Sequence, residues 1–234
     1  MSADELPGFA EVLASAEGIG GWLTPAQARL LWEQALAVPA DGLIVEIGSH
    51  QGRSTVVLAS GRARVVAIDP FVGGAMFGGL ATRELFVANL AAAGVSGRVE
   101  LRQDRSTALR PSWSSAVDFL YIDGKHDYWT VSDDLRWTSF LPDGGRVAIH
   151  DAFSSIGVTL ALLRHVLFSR RLRYLSRVGS LALFSVSPPS RADRLRMAAQ
   201  LPWWLRNVGI KILLRLRLRP VARLFGHHDT YDPY

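Results

Sequence analysis

Five short apolar segments, each ending at a polar or glycine-rich junction, constrain the fold of this chain more than any other feature of its sequence. In chain order they span residues 42–48, 64–69, 98–104, 117–123 and 145–151, and the third is the weakest. Stretches with helical periodicity accompany them, at about residues 52–60, 82–93, 127–141 and 154–168. Strands that alternate with helices are typical of a parallel sheet covered on both faces. We therefore expect an α/β domain with a doubly wound sheet.

The junctions after these segments supply the candidate site residues. They are Gly48-Ser49-His50, Asp69, Asp104, Asp123 and His150-Asp151. Ligands of open α/β sheets bind beyond the carboxyl ends of the strands, which is where these junctions would meet. Each aspartate alone could instead cap the helix that follows it, but five aligned junctions favour a binding site.

The first junction has the spacing of a nucleoside-binding turn. Gly48 and Gly52 are separated by three residues, unlike the glycines of the G-x-G-x-x-G turn that holds a pyrophosphate. No G-K-[ST] follows, so this junction is not a P-loop. Glu46 offers a hydrogen-bond acceptor before the turn, and Ser49 lies within it. The pattern suits a nucleoside ligand that has no pyrophosphate.

The next two junctions extend the same candidate site. Asp69 lies about twenty residues after the glycine turn, and an acidic residue that ends the second strand typically accepts hydrogen bonds from ribose hydroxyls. Asp104 and Ser106 follow the third predicted strand, where the chain would close over an adenine ring. A cap for a helix over residues 105–110 is the alternative interpretation.

The block from Val45 to Asp151 resembles the class I S-adenosylmethionine (SAM)-dependent methyltransferases. The matching motifs are E-I-G-S-H-Q-G at 46–52, V-V-A-I-D at 65–69 and Y-I-D-G-K-H-D-Y at 121–128. More narrowly, the chain is similar to a bacterial small-molecule group that includes macrolide-sugar O-methyltransferases and cephalosporin-hydroxylase-like proteins. That group shares D-G-x-H-x-Y, followed by L-x-D-G-G and H-D, here at 141–145 and 150–151. The resemblance covers roughly residues 40–185.

The resemblance implies a seven-stranded, Rossmann-like sheet whose last strand is antiparallel, with a closing hairpin over residues 173–186 that turns near Gly179. It also implies that SAM is the cofactor. Residues of the glycine turn would then line its methionine end, Asp69 its ribose, and the third junction its adenine. The cofactor-binding set is therefore Glu46, Gly48, Ser49, Gly52, Asp69, Asp104 and Ser106.

The catalytic candidates are Asp123 and His126, with His126 as the base that removes a proton from an acceptor hydroxyl. Asp123, His150 and Asp151 are the candidate ligands of a divalent cation. Because imidazole is a poor ligand for Mg²⁺, the sequence leaves Mg²⁺, Mn²⁺ and no metal open. We expect an O-methyltransferase acting on a small polar acceptor, a sugar or glycosylated metabolite. An RNA methyltransferase and a non-catalytic partner protein with this fold are the alternatives.

The C-terminal part of the chain is strongly basic. Residues 1–163 carry 12 Lys and Arg against 18 Asp and Glu, whereas residues 164–234 carry 14 against 3. The net charges are therefore −6 and +11. Residues 191–223 combine arginines with leucines and with Trp203-Trp204, a composition typical of a basic amphipathic helix at an anionic membrane surface. Packing on the domain or across a homo-oligomer is the second interpretation, and nucleic acid the third.

These patterns divide the chain into an N-terminal helical segment (1–40), a SAM-binding domain (41–187) and a basic C-terminal extension (188–234). No uncharged apolar run is long enough for a transmembrane helix, and the acidic start is unlike a signal peptide. The absence of cysteine suits the reducing cytosol. We expect a cytoplasmic protein that associates peripherally with the inner face of the membrane.

Two further expectations concern single segments. Asp133 and Asp134, on the helix after the fourth strand, are expected to form a solvated face. The glycine-rich segment from Phe71 to Gly79 is expected to be a mobile lid over the site.

Overall fold

The computed structural model describes residues 6–73 and 79–227. Its centre is a seven-stranded sheet with the strand order β3-β2-β1-β4-β5-β7-β6. The strands are β1 (Leu43–Ile47), β2 (Arg64–Ile68), β3 (Val99–Arg102), β4 (Phe119–Ile122), β5 (Arg146–Ile149), β6 (Leu172–Val178) and β7 (Leu181–Val186). The first five pair in parallel, and β7 is antiparallel to both of its neighbours. The predicted doubly wound sheet and its closing hairpin at Gly179 are confirmed.

Helices cover both faces of the sheet. They are α1 (Phe9–Glu17), α2 (Pro25–Ala37), α3 (Arg53–Leu58), α4 (Leu80–Ala92), α5 (Ser106–Leu109), α6 (Tyr128–Asp134), α7 (Ile156–Leu162), α8 (Arg191–Ala198), α9 (Leu201–Arg215) and α10 (Arg219–Leu224). A 3₁₀ segment extends α6 to Phe140, and a π-helical segment extends α7 to Leu167. The four helical stretches expected from periodicity are therefore present.

Two hydrophobic cores lie on opposite faces of the sheet because side chains alternate along each buried strand. In β4, Leu120 and Ile122 belong to one core, while Phe119 and Tyr121 belong to the other. All residues of β1, β4 and β7 are buried. Burial on both faces explains why these strands appear in the sequence as continuous apolar runs rather than as alternating patterns.

The N-terminal segment packs on this framework. Thr24 caps the N-terminus of α2. Its side chain accepts a hydrogen bond from the Gln27 N–H, and the Gln27 side chain accepts one from the Thr24 N–H. Pro25 occupies the first turn, where its missing N–H costs nothing. Both α1 and α2 contact α3, so residues 6–37 support the helix that follows the glycine turn.

The C-terminal extension also packs on the domain. Helix α8 contacts β6, and Arg194 donates hydrogen bonds to the carbonyls of Leu167 and Ser169. Trp203 and Trp204 of α9 pack against the core, and the guanidinium of Arg177 lies 3.8 Å from the Trp203 ring centre. Among the described residues, no helix has the length and apolar character needed to cross a membrane.

Candidate functional site

The candidate site lies at the carboxyl edge of the adjacent strands β1, β4 and β5. The loops that leave β1 and β5 contain non-glycine residues in the left-handed region: His50 (φ 46°), Asp151 (φ 53°) and Phe153 (φ 59°). Each such residue costs about 1–3 kcal/mol and persists only where its surroundings hold it in place. The conformation of the loops at this edge is therefore fixed by the packing around them.

An Asp–His cluster occupies the junctions after β4 and β5. The His126 imidazole lies between two carboxylates, with Nδ1 2.9 Å from Asp151 Oδ2 and Nε2 3.4 Å from Asp123 Oδ1. His150 Nδ1 lies 3.3 Å from Asp123 Oδ1. The His126 side chain is 40% exposed, whereas His150 is 6% exposed. The sequence predicts these four residues at one site, and the structure brings them together with His126 on the solvent side.

Two residues that sequence analysis did not select complete the cluster. The Tyr121 hydroxyl donates a 2.9 Å hydrogen bond to Asp123 Oδ2, and the Ser154 hydroxyl donates one of 2.8 Å to Asp151 Oδ1. Tyr121 lies inside β4, where an apolar strand residue gives no sign of a polar role. Each carboxylate of the cluster thus has a neutral donor as well as an imidazole.

Within the cluster, the imidazoles and carboxylates stabilise each other's charged forms. Burial alone would lower the pKa of His126, but its contacts with Asp123 and Asp151 outweigh burial and raise the pKa to about 10. Burial would raise the pKa of Asp123, yet the His150 and His126 imidazoles hold it well below its ordinary value. The pKa of Asp151 is lowered against burial in the same way, first by its hydrogen bond with His126. His126 is thus held as an imidazolium between two carboxylates.

This arrangement does not fit a divalent cation. Asp123, His150 and Asp151, the predicted metal ligands, do lie near one another, but the positively charged His126 ring fills the space between the two carboxylates. Within residues 6–73 and 79–227, no group of three His, Asp or Glu side chains is arranged to hold a metal ion.

The glycine turn approaches this cluster through its backbone. Gly48 has φ +88°, and a Cβ at this position would lie 2.2 Å from the carbonyl oxygen of Asp123. Only glycine permits that approach of the β1 and β4 junctions. Gly52, with φ +90°, precedes α3, and a Cβ there would lie 3.2 Å from the Phe86 ring. The two glycines selected from the sequence are therefore required by the backbone.

Glu46 lies beneath the turn and is fully buried. Its two carboxylate oxygens accept hydrogen bonds from the Ser54 and Thr55 hydroxyls of α3. Burial is the largest influence and raises the pKa of Glu46 to about 7. The carboxylate thereby ties β1 to α3, and it can also serve as an acceptor below the turn.

Asp69 holds the turn from the neighbouring strand. Its Oδ2 accepts hydrogen bonds from the backbone N–H groups of Ser49 (3.0 Å) and His50 (2.9 Å), and its Oδ1 accepts one from Phe71 (2.8 Å). These bonds give the carboxylate a structural role beside the predicted ribose contact. The expected lid from Phe71 to Gly79 falls partly on residues 74–78, which lie outside the described residues.

The third junction separates the two residues predicted there. Asp104 is exposed and accepts a hydrogen bond from the Arg105 N–H, whereas Ser106 is buried and donates one to Asp134. The expectation that Asp134 belongs to a solvated face is wrong, because this side chain is fully buried. Burial raises the pKa of Asp134 to about 6. Asp133, one residue earlier, instead pairs with Arg110 at 3.1 Å.

Several buried polar atoms near these junctions have no hydrogen-bond partner in the described part of the chain. Among them are Nδ1 of His50, in the glycine turn, and Oδ2 of Asp134, behind Ser106. Buried polar groups are normally hydrogen-bonded. Unpartnered atoms at two of the predicted cofactor junctions fit a polar ligand such as a nucleoside at this edge.

Known proteins share this architecture. Residues 45–152 match a family described as "Methyltransferase domain". Cofactor-bound Rv0187 from MTB is 20% identical, with a TM-score of 0.60 over 80% of this chain and 93% of that one. The O-methyltransferase TomG from Streptomyces achromogenes, involved in tomaymycin synthesis and solved with SAM, is 18% identical, with a TM-score of 0.55 over 80% and 92%. An rRNA methylase from Streptococcus thermophilus is 17% identical, with a TM-score of 0.52 over 68% and 93%.

Proposed function

Residues 45–152 form a methyltransferase domain with the class I SAM-dependent fold, and from this premise we propose that the chain methylates a hydroxyl oxygen of a small polar acceptor. The observation that carries the proposal is the half-exposed His126 imidazole, anchored by Asp123 and Asp151 beside the glycine turn. An acceptor hydroxyl must lose its proton as its oxygen takes the methyl group. SAM supplies an electrophilic methyl group on a positively charged sulfur.

The residues of the first two junctions are the proposed cofactor contacts. Gly48, Ser49 and Gly52 would line the methionine end, with Glu46 as an acceptor below them, and Asp69 would accept from the ribose. Ser106 is the better of the two adenine candidates. It is buried beside Asp134, whose Oδ2 has no hydrogen-bond partner within residues 6–73 and 79–227, whereas Asp104 is exposed.

His126 is the proposed general base, with Asp123 and Asp151 as the groups that orient it. As an imidazolium it cannot take the proton of the acceptor hydroxyl, because its pKa is raised to about 10. The acceptor hydroxyl must also replace Asp123 at Nε2, the longer of the two carboxylate contacts at 3.4 Å. Only the neutral form is a base. The proposal therefore requires a reaction that becomes faster as the pH rises above the ordinary histidine pKa.

Exposed aromatic rings at the glycine turn and in the first turn of α6 support a sugar or glycosylated metabolite as the acceptor. Trp129, three residues after His126, is 79% exposed, and its ring centre lies 5.0 Å from that of Tyr128. Trp22 is 63% exposed and lies 5.8 Å from the His50 ring at the glycine turn. Such rings provide apolar faces for the C–H side of a sugar, while its hydroxyls face polar groups.

The cofactor is tested first, by calorimetric titration of the full chain with SAM. We expect micromolar binding that is lost in Asp69→Ala. The matched control is Asp143→Ala, which removes an exposed carboxylate before β5, at the opposite edge of the sheet. A folded protein that binds no SAM would overturn the proposal and favour a non-catalytic partner protein.

The acceptor is tested with sugars that carry adjacent hydroxyls, by detecting methylated product in mass spectra. His126→Ala should abolish transfer without abolishing SAM binding, and Lys125→Ala, an exposed neighbour, should leave transfer unchanged. Methylation of RNA but of no sugar would replace this acceptor class by nucleic acid.

A further inference from the structure

The C-terminal helices expose a continuous set of large apolar side chains, which we call the α9–α10 surface. On α9 and just after it, Leu205 is 62% exposed, Ile212 53% and Leu216 63%. The rest of the surface follows in the loop and on α10, at Leu218, Val221, Leu224 and Phe225, with exposures from 36% to 85%. Scattered apolar residues are normal on a surface, but a contiguous patch marks an interaction site.

The helical period explains why these residues share one side. Ile212 and Leu216 lie seven and eleven residues after Leu205, which is close to two and three full turns of an α-helix. Asn207 and Ile210, on the opposite side of α9, are buried against the domain. Among the described residues, the inner side of α9 is therefore covered by the domain, whereas its apolar outer side is exposed.

The surface is held in a defined shape. Arg206 donates hydrogen bonds to the carbonyls of Phe225 (2.6 Å) and Gly226 (2.7 Å), which fasten the end of α10 to α9. Between them lies an apolar groove of about 370 Å³, lined by Leu205, Ile212 and Phe225 among others. The apolar side chains are thus presented by fixed helices.

Exposed arginines surround these apolar residues. Arg215, Arg217 and Arg219 are all exposed at the turn between α9 and α10. The whole stretch from 164 to 234 carries a net charge of +11 against −6 for the rest of the chain. A partner of the α9–α10 surface must therefore be apolar and negatively charged at the same time.

We propose that the α9–α10 surface binds an anionic lipid bilayer, with α9 lying in the plane of the interface. Leucine, isoleucine and phenylalanine side chains would enter the acyl boundary, and the arginines would contact anionic headgroups. The proposed membrane-binding surface spans residues 205–225, whereas the sequence indicated residues 191–223. Trp203 and Trp204 are not part of this membrane-binding surface, because they pack on the core.

Two other partners match the surface less well. A second copy of this chain, related by a twofold axis, would place the arginines of both copies in one interface, and like charges there are unfavourable. Nucleic acid would pair with the arginines but leave the aliphatic side chains uncovered, since it offers them no apolar surface of matching size. Only a bilayer satisfies both features.

Vesicle co-sedimentation of the full chain tests this proposal independently of methyl transfer. We expect binding to vesicles of phosphatidylcholine with phosphatidylglycerol, and much weaker binding to phosphatidylcholine alone. Ile212→Ser with Leu216→Ser should lower binding about a hundredfold. Arg215→Ala and Arg219→Ala should each lower it about fivefold. The matched control is Leu85→Ser with Val87→Ser on α4, at positions 47% and 48% exposed.

Thermal melts will establish that all variants are folded, which we expect because the substituted side chains are exposed. Equal binding by the α9 and α4 variants would overturn the proposal. So would a concentration-dependent dimer that the Ile212→Ser, Leu216→Ser variant abolishes, because the surface would then join two copies of the chain. Salt-sensitive RNA binding with no vesicle binding would overturn it in favour of nucleic acid.

Discussion

Nδ1 of His126 lies 2.9 Å from Oδ2 of Asp151, which joins the loop after β4 to the loop after β5. The carboxylate is buried and the imidazole is half-exposed, so Asp151 fixes the orientation of a ring that can still meet an acceptor. Ser154 in turn fixes Asp151 through a 2.8 Å hydrogen bond. The chemistry proposed for His126 therefore depends on the conformation of the loop after β5.

This contact predicts the pH dependence of the reaction. The carboxylates of Asp123 and Asp151 stabilise the imidazolium and raise the pKa of His126, so kcat/KM should rise with pH above the ordinary histidine pKa of 6.5. Asp151→Asn removes one of the two charges, lowers the pKa of His126 and should move the rising limb to lower pH. Profiles of kcat/KM against pH for the unmodified protein and for Asp151→Asn test this prediction. If kcat/KM rises over the same pH range in both, the prediction is contradicted.

The same geometry predicts that transfer does not need a divalent cation. His126 occupies the space between Asp123 and Asp151, so EDTA should leave kcat unchanged once SAM and acceptor are saturating. Added Mg²⁺ or Mn²⁺ should likewise have no effect. Loss of activity in EDTA with recovery on adding Mn²⁺ would show that His126 moves out of this space in the reacting complex.

Much of the fold could be predicted because its elements follow from local sequence patterns. Continuous apolar strands, glycine junctions and the Thr24-Pro25 helix start each depend on a few adjacent residues. The burial of Asp134 also follows a local pattern: with Val131, Leu135 and Thr138 it recurs at helical spacing on the buried side of α6 and its extension. The docking of α9 on the domain could not be distinguished from the other interpretations of the basic tail, because it depends on tertiary packing.

Gly48→Ala should destabilise the protein strongly. The added Cβ would meet the Asp123 carbonyl oxygen at 2.2 Å, and φ +88° disfavours any side chain. We expect a loss of about 2–5 kcal/mol in unfolding free energy. Urea denaturation measures it. The control Gly209→Ala, inside α9 with open space around its Cβ, should instead add about 0.5–1 kcal/mol.

Asp134 should make folding stability depend on pH. Its pKa is raised from 3.8 to about 6 by burial, so the folded state holds the proton more tightly than the unfolded state. The resulting stabilisation, about 3 kcal/mol, is complete below the unfolded pKa and is lost as the pH rises through about 6. Asp134→Asn should remove this loss of folding stability at higher pH. Urea denaturation at acidic and at mildly alkaline pH will detect it, with Asp133→Asn as the control for removing a carboxylate from α6.

The docking of α9 predicts that a residue outside the methyltransferase domain affects catalysis. Asn207 donates a 3.1 Å hydrogen bond to the Phe153 carbonyl, and Lys211 donates one of 3.0 Å to the Ser154 carbonyl. Both bonds hold the loop that begins at Asp151, where two residues adopt left-handed conformations. A small displacement of this loop would misplace His126.

Asn207→Ala should therefore lower kcat about tenfold to a hundredfold while the KM for SAM stays unchanged. Asn207 is a positioning residue, so its loss should also lower the pKa of His126 and move the pH profile as Asp151→Asn does. Arg215→Ala, an exposed change on the same helix, should leave both readouts unchanged in solution assays. A fall in the unfolding temperature with normal kcat and an unshifted profile would show that Asn207 serves stability alone.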